Sequence, residues 1–378
     1  MPRPAAVPQD LTKLIGSLTA AARTAGPPGP APDPHSAAPR EASVGAAAAI
    51  EGPDAPAATA FSGTTALFAA DGSVLPEDAP AVEPVTERTL FDLASVTKIL
   101  TALTAATLID DGVLDVHQPV RELMPAPRPD ITVHHLLTHT SGLPPVMPLW
   151  RMPGGREARL DAVRSATLDH APGEAHAYSC IGFILLGALM EALTDTPLPE
   201  LARRRVLDPA GATGVTWTPD TADAAHAAAT EHQEDPPRGL VRGSTHDETA
   251  WSLGGAGNAG AFATLPGALA IGRILAGRAL GPRLSPAVRE LLTADQLPGG
   301  PATDAPWRQG LGLRIGQETA PGRLAEHVVG HPGFTGTSIH ADPRTGTVAV
   351  LLTNRVHPYR SWFKVEAARR DLARLAFA

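Results

Sequence analysis

Strand-like segments gather at the two ends of this chain, and helix-like segments fill the space between them. Val44 to Ile50 and Thr64 to Ala70 are short apolar pieces, the second ending at Asp71-Gly72. They read as the paired first strands of a sheet, with Asp-Gly as a turn. Near the other end, Thr337 to Ala341 and Thr347 to Thr353 flank Asp342-Pro343-Arg344-Thr345-Gly346, a second hairpin signal. After it, apolar residues recur at Trp362, Val365, Ala368, Leu372 and Leu375, as on a helix with one buried face. In the middle, Thr132 reads as an N-cap for Val133 to Thr138, and Ile181 to Leu193 and Leu198 to Leu207 carry helical patterns. One antiparallel sheet built from N- and C-terminal strands, flanked by helices and with a helical lobe inserted, accounts for this order. The fold class expected is α+β.

At 378 residues the chain can bury a large core arranged as two lobes. An α/β lobe is expected over about 41–100 and 300–378, and a helical lobe over about 101–299. Residues 24 to about 62 are rich in Ala, Pro and Gly and read as a linker or irregular arm, with residues 1–40 outside the folded domain at 41–378. The net charge of −8 gives no basic footprint for nucleic acid. No apolar run reaches the length of a membrane span. Cys180 is the only cysteine, so a disulfide framework and a cysteine-based zinc cluster are excluded. The first 25 residues make a poor secretory signal, interrupted by Asp10, which points to a cytoplasmic protein.

Ser95-Val96-Thr97-Lys98 is the segment richest in chemistry. On a helix, positions i and i+3 share a face with Cβ atoms about 5–6 Å apart. A serine hydroxyl needs a neighbouring base to become a nucleophile, and a lysine qualifies once burial lowers its pKa. The same four residues also describe a plain helix start with Ser95 as N-cap and Lys98 solvated. The flanks separate the two readings. Ile99, Leu103 and Ala106 continue an apolar helix that Asp110-Asp111-Gly112 stops, placing Lys98 in the first turn of an apolar helix.

Other residues invite a chemical reading. Tyr178, before the apolar helix, is either a core anchor or, beside a buried lysine, a proton shuttle. Gly333 and Gly336 in His331-Pro332-Gly333-Phe334-Thr335-Gly336-Thr337 allow close backbone approach, and Pro332 leaves a free strand edge. Gly255 to Gly260 matches G-x-G-x-x-G, but no convincing strand precedes it and no acidic residue follows at the required distance, so a dinucleotide site is rejected. His246-Asp247-Glu248 reads as a structural loop rather than a metal site. Cys180 reads as a small buried side chain.

Taken together, these segments resemble the serine β-lactamase-like superfamily of class C β-lactamases, D-alanyl-D-alanine carboxypeptidases, family VIII esterases and related acyltransferases. The resemblance runs from about Thr86 to His357. It rests on Phe91 to Lys98, Ile131 to Leu143, Tyr178-Ser179, His246-Asp247-Glu248, Leu253 to Gly257, His331 to Thr337 and Leu352 to Arg355. It implies a β-lactamase/transpeptidase-like fold, Ser95 as the acylated nucleophile, Lys98 as its helical partner and Tyr178 as the shuttle to the leaving group. His331-Pro332-Gly333 takes the place of the family's K-T-G triplet, and the backbone N–H groups of Ser95 and Phe334 would form the oxyanion hole.

Two positions depart from the family pattern. Cys180 replaces an asparagine that contacts the acyl side chain, and His331-Pro332 replaces a permanent positive charge and a hydroxyl. The resemblance therefore implies a serine hydrolase, most readily an esterase on small uncharged esters, with no cofactor and no metal. The alternatives are an acyltransferase, a weak β-lactamase or D-amino-acid peptidase, and a catalytically silent binding protein with the same pocket.

Overall fold

The computed structural model describes residues 6–20, 22, 42–69, 73–126, 130–217, 219–278, 284–297, 299–300, 305 and 307–378. Its strands are β1 (Gly45–Glu51), β2 (Ala58–Gly63), β3 (Phe91–Asp92), β4 (Val215–Thr216), β5 (His232–Gln233), β6 (Gly239–Leu240), β7 (Phe262–Ala263), β8 (Arg308–Gln309), β9 (Arg314–Ala320), β10 (Arg323–Pro332), β11 (Ser338–Asp342) and β12 (Thr347–Thr353). Its helices are α1 (Ala6–Ala20), α2 (Thr97–Asp110), α3 (Val133–Leu137), α4 (Arg156–Arg164), α5 (Cys180–Thr194), α6 (Leu198–Ala202), α7 (Thr221–Ala225), α8 (Glu248–Ser252), α9 (Leu265–Leu275), α10 (Pro286–Thr293) and α11 (Glu366–Phe377).

Seven strands form the main sheet in the order β2-β1-β12-β11-β10-β9-β8, antiparallel throughout. The two termini therefore do meet in one sheet, with β1 lying against β12 from Ala46 opposite Thr353 to Glu51 opposite Val348. Burial on both faces explains the composition of these strands. Along β1, Ala47 and Ala49 face one core while Ala46, Ala48 and Ile50 face another; along β12, Val348, Val350 and Leu352 face the first while Ala349 and Leu351 face the second. This is the period of two expected of a pleated strand. Helices α1 and α11 cover the second face through Leu11, Ile15, Leu18, Ala368 and Leu372. Helix α9 and the helical lobe cover the first.

Both long helices of that lobe are apolar on all sides, the pattern of interior helices. Every residue of α2 from Thr97 to Leu108 is buried, as is every residue of α5 from Cys180 to Met190. Thr132 caps α3 by accepting from the His135 N–H, and the His135 side chain returns a bond to the Thr132 N–H.

The N-terminal third departs from the expected pairing. The partner of β1 is β2, which lies inside the stretch read as linker; Thr64 and Phe68 make only isolated bridges, to Pro84 and Val74. Alanine-rich strands without alternation look like linker, but here both faces of β1 are covered. The residues Asp71-Gly72 lie outside the described residues. The segment 1–40, expected to be irregular, carries α1, whose buried Leu11, Ile15 and Leu18 recur at helical spacing; residues 23–41 lie outside the description. Helix α9, placed by sequence in the helical lobe, packs on β11 and β12 instead. The segment Leu198 to Leu207 is α6 extended by a wider turn, closed by the Asp208 N–H to the Arg203 carbonyl at 2.8 Å. Among the described residues no single helix is long and apolar enough to cross a membrane.

Candidate active site

Ser95 sits in one tight turn, Ala94–Val96, between β3 and α2. Ala94 has φ +46°, a left-handed conformation that costs a residue with a Cβ about 1–2 kcal/mol. Buried Asp92 holds it there, its Oδ1 accepting the Ala94 N–H at 2.7 Å. The helix begins at Thr97 with Val96 as N-cap and no side-chain cap, so Ser95 does not serve as a cap. Its hydroxyl is turned instead to two other groups. Lys98 Nζ donates to Ser95 Oγ at 3.1 Å, and Tyr178 OH donates to the same oxygen at 2.9 Å.

Lys98 is fully buried rather than solvated. Its ammonium also donates to the Asn258 carbonyl at 2.9 Å and to Cys180 Sγ at 3.6 Å, and lies 5.0 and 5.6 Å from the ring centres of Tyr178 and Phe183. Burial pushes this lysine down, but attraction to Cys180 and Tyr178 and the hydrogen bond with Tyr178 outweigh it, and the net shift is upward. Burial is thus not the whole setting of Lys98: a carbonyl, a hydroxyl and two ring faces favour the charged form. Tyr178 is likewise held above its ordinary value, chiefly by burial, with Lys98 opposing. Both groups carry their protons at neutral pH.

Tyr178 is wedged between histidines. The His139 ring lies 4.6 Å from it and the His331 ring 5.9 Å. His139 has φ +57°, and its Nδ1 accepts the Ser179 N–H at 3.2 Å, fixing the neutral tautomer protonated on Nε2. His331 and Pro332 end β10 paired with Ile339 and Ser338 of β11, while pairing with β9 ends at Gly330 opposite Arg314, so among the described residues these two have no ladder partner on the β9 side. His331 Nδ1 lies 2.7 Å from the Pro332 carbonyl, which can only accept, so Nε2 is left as a buried acceptor with no partner. Burial, reinforced by Arg314 and Lys98, drives His331 well below the usual histidine range. These surroundings disfavour the positive charge that an unperturbed imidazole would take up in mild acid.

The permanent charge comes from a residue that sequence reading missed. Arg314 opens β9, stacks 3.7 Å from the Trp307 ring centre and lies 5.3 Å from that of Tyr178. It makes no ion pair among the described residues, and its Nε is buried with no partner, as is Trp307 Nε1. Burial lowers its pKa, but an arginine remains charged. His331-Pro332 supply no fixed cation, but one lies on the neighbouring strand, 5.3 Å from the Tyr178 ring centre.

The segment after His331 is stitched to the Ser95 turn. Thr335 Oγ1 donates to the Asp92 carbonyl at 2.7 Å and Thr337 Oγ1 to the Leu93 carbonyl at 2.9 Å. A Cβ on Gly333 would collide with that Leu93 carbonyl and with Thr337 Oγ1, which is why glycine stands there. The N–H groups of Ser95 and Phe334 have no hydrogen-bond partner among the described residues. Cys180 lies against Lys98 at the start of α5.

Residues 255–260 form no nucleotide cradle. Gly257 packs against the Phe183 carbonyl of α5, where a Cβ would collide, and the loop delivers the Asn258 carbonyl to Lys98. His246, Asp247 and Glu248 each tie a different element: His246 to Glu231, Asp247 to the first turn of α8 and to Asn258, Glu248 to Arg360. Of the residues singled out in the sequence, the structure puts Lys98 and Tyr178 on the Ser95 hydroxyl, Cys180 beside Lys98, His331 beside Tyr178, and Gly333, followed by Phe334, against the Leu93 carbonyl of the Ser95 turn. Sequence reading could not locate Arg314, which lies in no recognisable pattern.

The fold and the grouping of Lys98 and Tyr178 on Ser95 are those of serine hydrolases of the β-lactamase/transpeptidase type. A family model described as Beta-lactamase matches residues 23–374, and the chain belongs to that family. It is 28% identical over 306 residues to an N-acetylmuramyl-L-alanine amidase from Bacillus subtilis strain 168, covering 71% of this chain and 69% of the relative. Among solved structures, a class C β-lactamase superposes with a TM-score of 0.70 at 16% identity, covering 97% of this chain and 96% of that one. EstCE1, a hydrolase with promiscuous acyltransferase activity, superposes with a TM-score of 0.69 at 19% identity, covering 98% of this chain and all (100%) of the other. Members of the family act as peptidases, amidases and esterases.

Proposed function

We propose that this protein is an esterase-type serine hydrolase that works through an acyl-enzyme on Ser95. The observation that carries this reading is the convergence of Lys98 Nζ and Tyr178 OH on one serine oxygen in a buried setting. In the form of the Lys98–Tyr178 pair that has given up one proton, Ser95 Oγ attacks the ester carbonyl carbon while its own proton passes to that pair. The oxyanion is received by the N–H groups of Ser95 and Phe334. The C–O bond to the leaving alcohol breaks as Tyr178 returns a proton to that oxygen. Water then adds to the acyl carbon by the reverse path and frees Ser95. An alcohol or amine in place of water turns the same cycle into acyl transfer.

Cys180 supports an ester over an amide substrate: the resemblance puts at this position an asparagine that contacts the acyl side chain, and here it is a thiol beside Lys98. Arg314 widens the substrate range beyond neutral esters, since an unpaired guanidinium beside Tyr178 suits a carboxylate near the scissile bond. That one observation favours a second reading, an amidase or D-amino-acid peptidase, in keeping with the name of the Bacillus subtilis relative. Comparing kcat/KM for p-nitrophenyl butyrate with that for a D-alanyl p-nitroanilide separates the two. The esterase reading expects the ester to lead by about 100-fold or more, in line with the loss of the amide-holding side chain; an anilide rate equal to the ester rate would establish the second reading instead.

A further inference from the structure

His246 and Glu231 lie outside the Ser95–Lys98–Tyr178 constellation, yet they are more deeply buried than Ser95 itself. Each side chain is 4% exposed, and His246 Nε2 lies 2.9 Å from Glu231 Oε2. Arg360 completes the cluster, donating to Glu231 from its backbone N–H at 3.0 Å and its Nε at 2.8 Å, and to Glu248 at 2.7 Å. Burial raises the Glu231 carboxyl, but hydrogen bonds from His246 and Arg360 overcome it and hold the group at about 2. A buried ionic cluster is weak support for stability, because desolvation of the charges offsets their attraction. This one has a second set of contacts that stability does not explain.

Those contacts reach both the Ser95 turn and Phe334. The backbone N–H of His246 donates to Asp92 Oδ2 at 2.6 Å, and Asp92 Oδ1 holds the strained Ala94 next to Ser95. The imidazole lies face to face with the Phe334 ring, 5.6 Å between centres and 24° between planes. Arg355 holds Phe334 as well, with its guanidinium 4.8 Å from the ring centre and its Nε donating to the Phe334 carbonyl at 2.7 Å. Phe334 is 44% exposed, an unusual place for an unsupported aromatic ring. With ring and carbonyl both held, its N–H is the polar group of that residue left without a partner.

We propose that His246, oriented by Glu231, is a positioning residue for the oxyanion hole, holding the Phe334 amide through its ring while its backbone holds the Ser95 side through Asp92. This rests on the acyl-enzyme reading of Ser95. His246 touches neither the reacting atoms nor the proton-transfer pair; it sets the distance between the two N–H donors. Every substitution except proline keeps the bond to Asp92, so side-chain variants isolate the hold on Phe334.

The test compares the wild type with His246→Ala, His246→Phe and Glu231→Gln. Three quantities are read: the rate of fluorophosphonate labelling, the fraction of protein labelled, and kcat and KM for p-nitrophenyl butyrate. Loss of one oxyanion donor costs about 10²–10³-fold in kcat, and loosening one costs part of that. His246→Ala is expected to lose about tenfold or more in kcat and in labelling rate per site, with KM within about threefold and the labelled fraction intact. His246→Phe, which keeps a ring against Phe334, should recover most of the loss, and Glu231→Gln should fall between. A purely structural role lowers the labelled fraction and leaves the rate per labelled site unchanged, and that result overturns the proposal. So does His246→Phe as slow as His246→Ala. Where His246→Ala does not fold, Glu231→Gln at the wild-type rate overturns it. A wild type that Ser95 labelling does not touch overturns the acyl-enzyme reading and this inference with it, and is distinguishable from the other failures.

Discussion

Replacing Lys98 by methionine should separate catalysis from folding. The side chain is fully buried, and its ammonium gives hydrogen bonds to Ser95 Oγ and the Asn258 carbonyl. Methionine has similar length and fills the space, so little cavity is created. Two stability terms oppose each other. The Asn258 carbonyl loses its charged donor, a cost of about 1–3 kcal/mol. Removal of a buried charge returns an amount of similar size, since apolar replacements of buried ionic groups are often neutral or stabilising by about 1–4 kcal/mol. The net is within about 2 kcal/mol of zero. At about 2–4 °C per kcal/mol for a domain somewhat smaller than this one, Tm moves by no more than about 8 °C. Catalysis has no such compensation. Ser95 loses one of its two proton-handling partners, and turnover should fall by about 10²–10⁴-fold. The assay pairs hydrolysis of p-nitrophenyl butyrate with a thermal melt of the same sample. Lys98→Met with more than a tenth of wild-type kcat would remove the lysine from the mechanism. A melt lowered by 15 °C or so would show that Lys98 is held for structure.

Lys98 and Tyr178 act on one oxygen, so their losses should not add: Tyr178→Phe alone is expected to cost about 10²–10⁴-fold, and the double variant little more, whereas additive losses would show two independent roles. The pH dependence follows from the upward shifts of both groups. Each keeps its proton through neutral pH, so the form able to accept the Ser95 proton grows as pH rises; kcat/KM should climb from about pH 6 to pH 9 without levelling, and a plateau below about pH 7.5 contradicts the shifts. Arg314→Met should lower kcat/KM for the carboxylate-bearing p-nitrophenyl hydrogen glutarate by about 10–150-fold, the value of a hydrogen bond to a charged group, and leave p-nitrophenyl butyrate within about threefold. Equal losses on both esters would place Arg314 behind Tyr178 as packing only.

Local rules reached far into this fold and stopped at identifiable places. The C-terminal hairpin, α3 with its Thr132 cap, α5 and α11 were legible because turn residues and apolar spacing act within a few residues. β2 was not, since Ala58 to Gly63 reads as linker and becomes a strand only against β1. α1 is hidden in the sequence although Leu11, Ile15 and Leu18 keep helical spacing, because the Pro-rich stretch beside it dominates the composition. In the cleft, Ser95 and Lys98 share one turn and are visible as a pattern. Arg314 reaches Tyr178 only through the pairing of β9 with β10, a tertiary fact with no local signature. The surroundings of Lys98 are hidden for a related reason. Burial is readable from an apolar run, but the Asn258 carbonyl and the Tyr178 ring that reverse its effect come from distant loops.

The central claim is that Ser95 becomes covalently acylated. Intact-mass measurement after brief incubation with p-nitrophenyl butyrate at pH 9, followed by acid quench and peptide mapping, tests it most directly, with a fluorophosphonate as the irreversible counterpart. One adduct on the peptide containing Ser95 is expected, lost in Ser95→Ala and retained in Cys180→Ala. An adduct that persists in Ser95→Ala, or that maps to the peptide containing Cys180, would contradict the account.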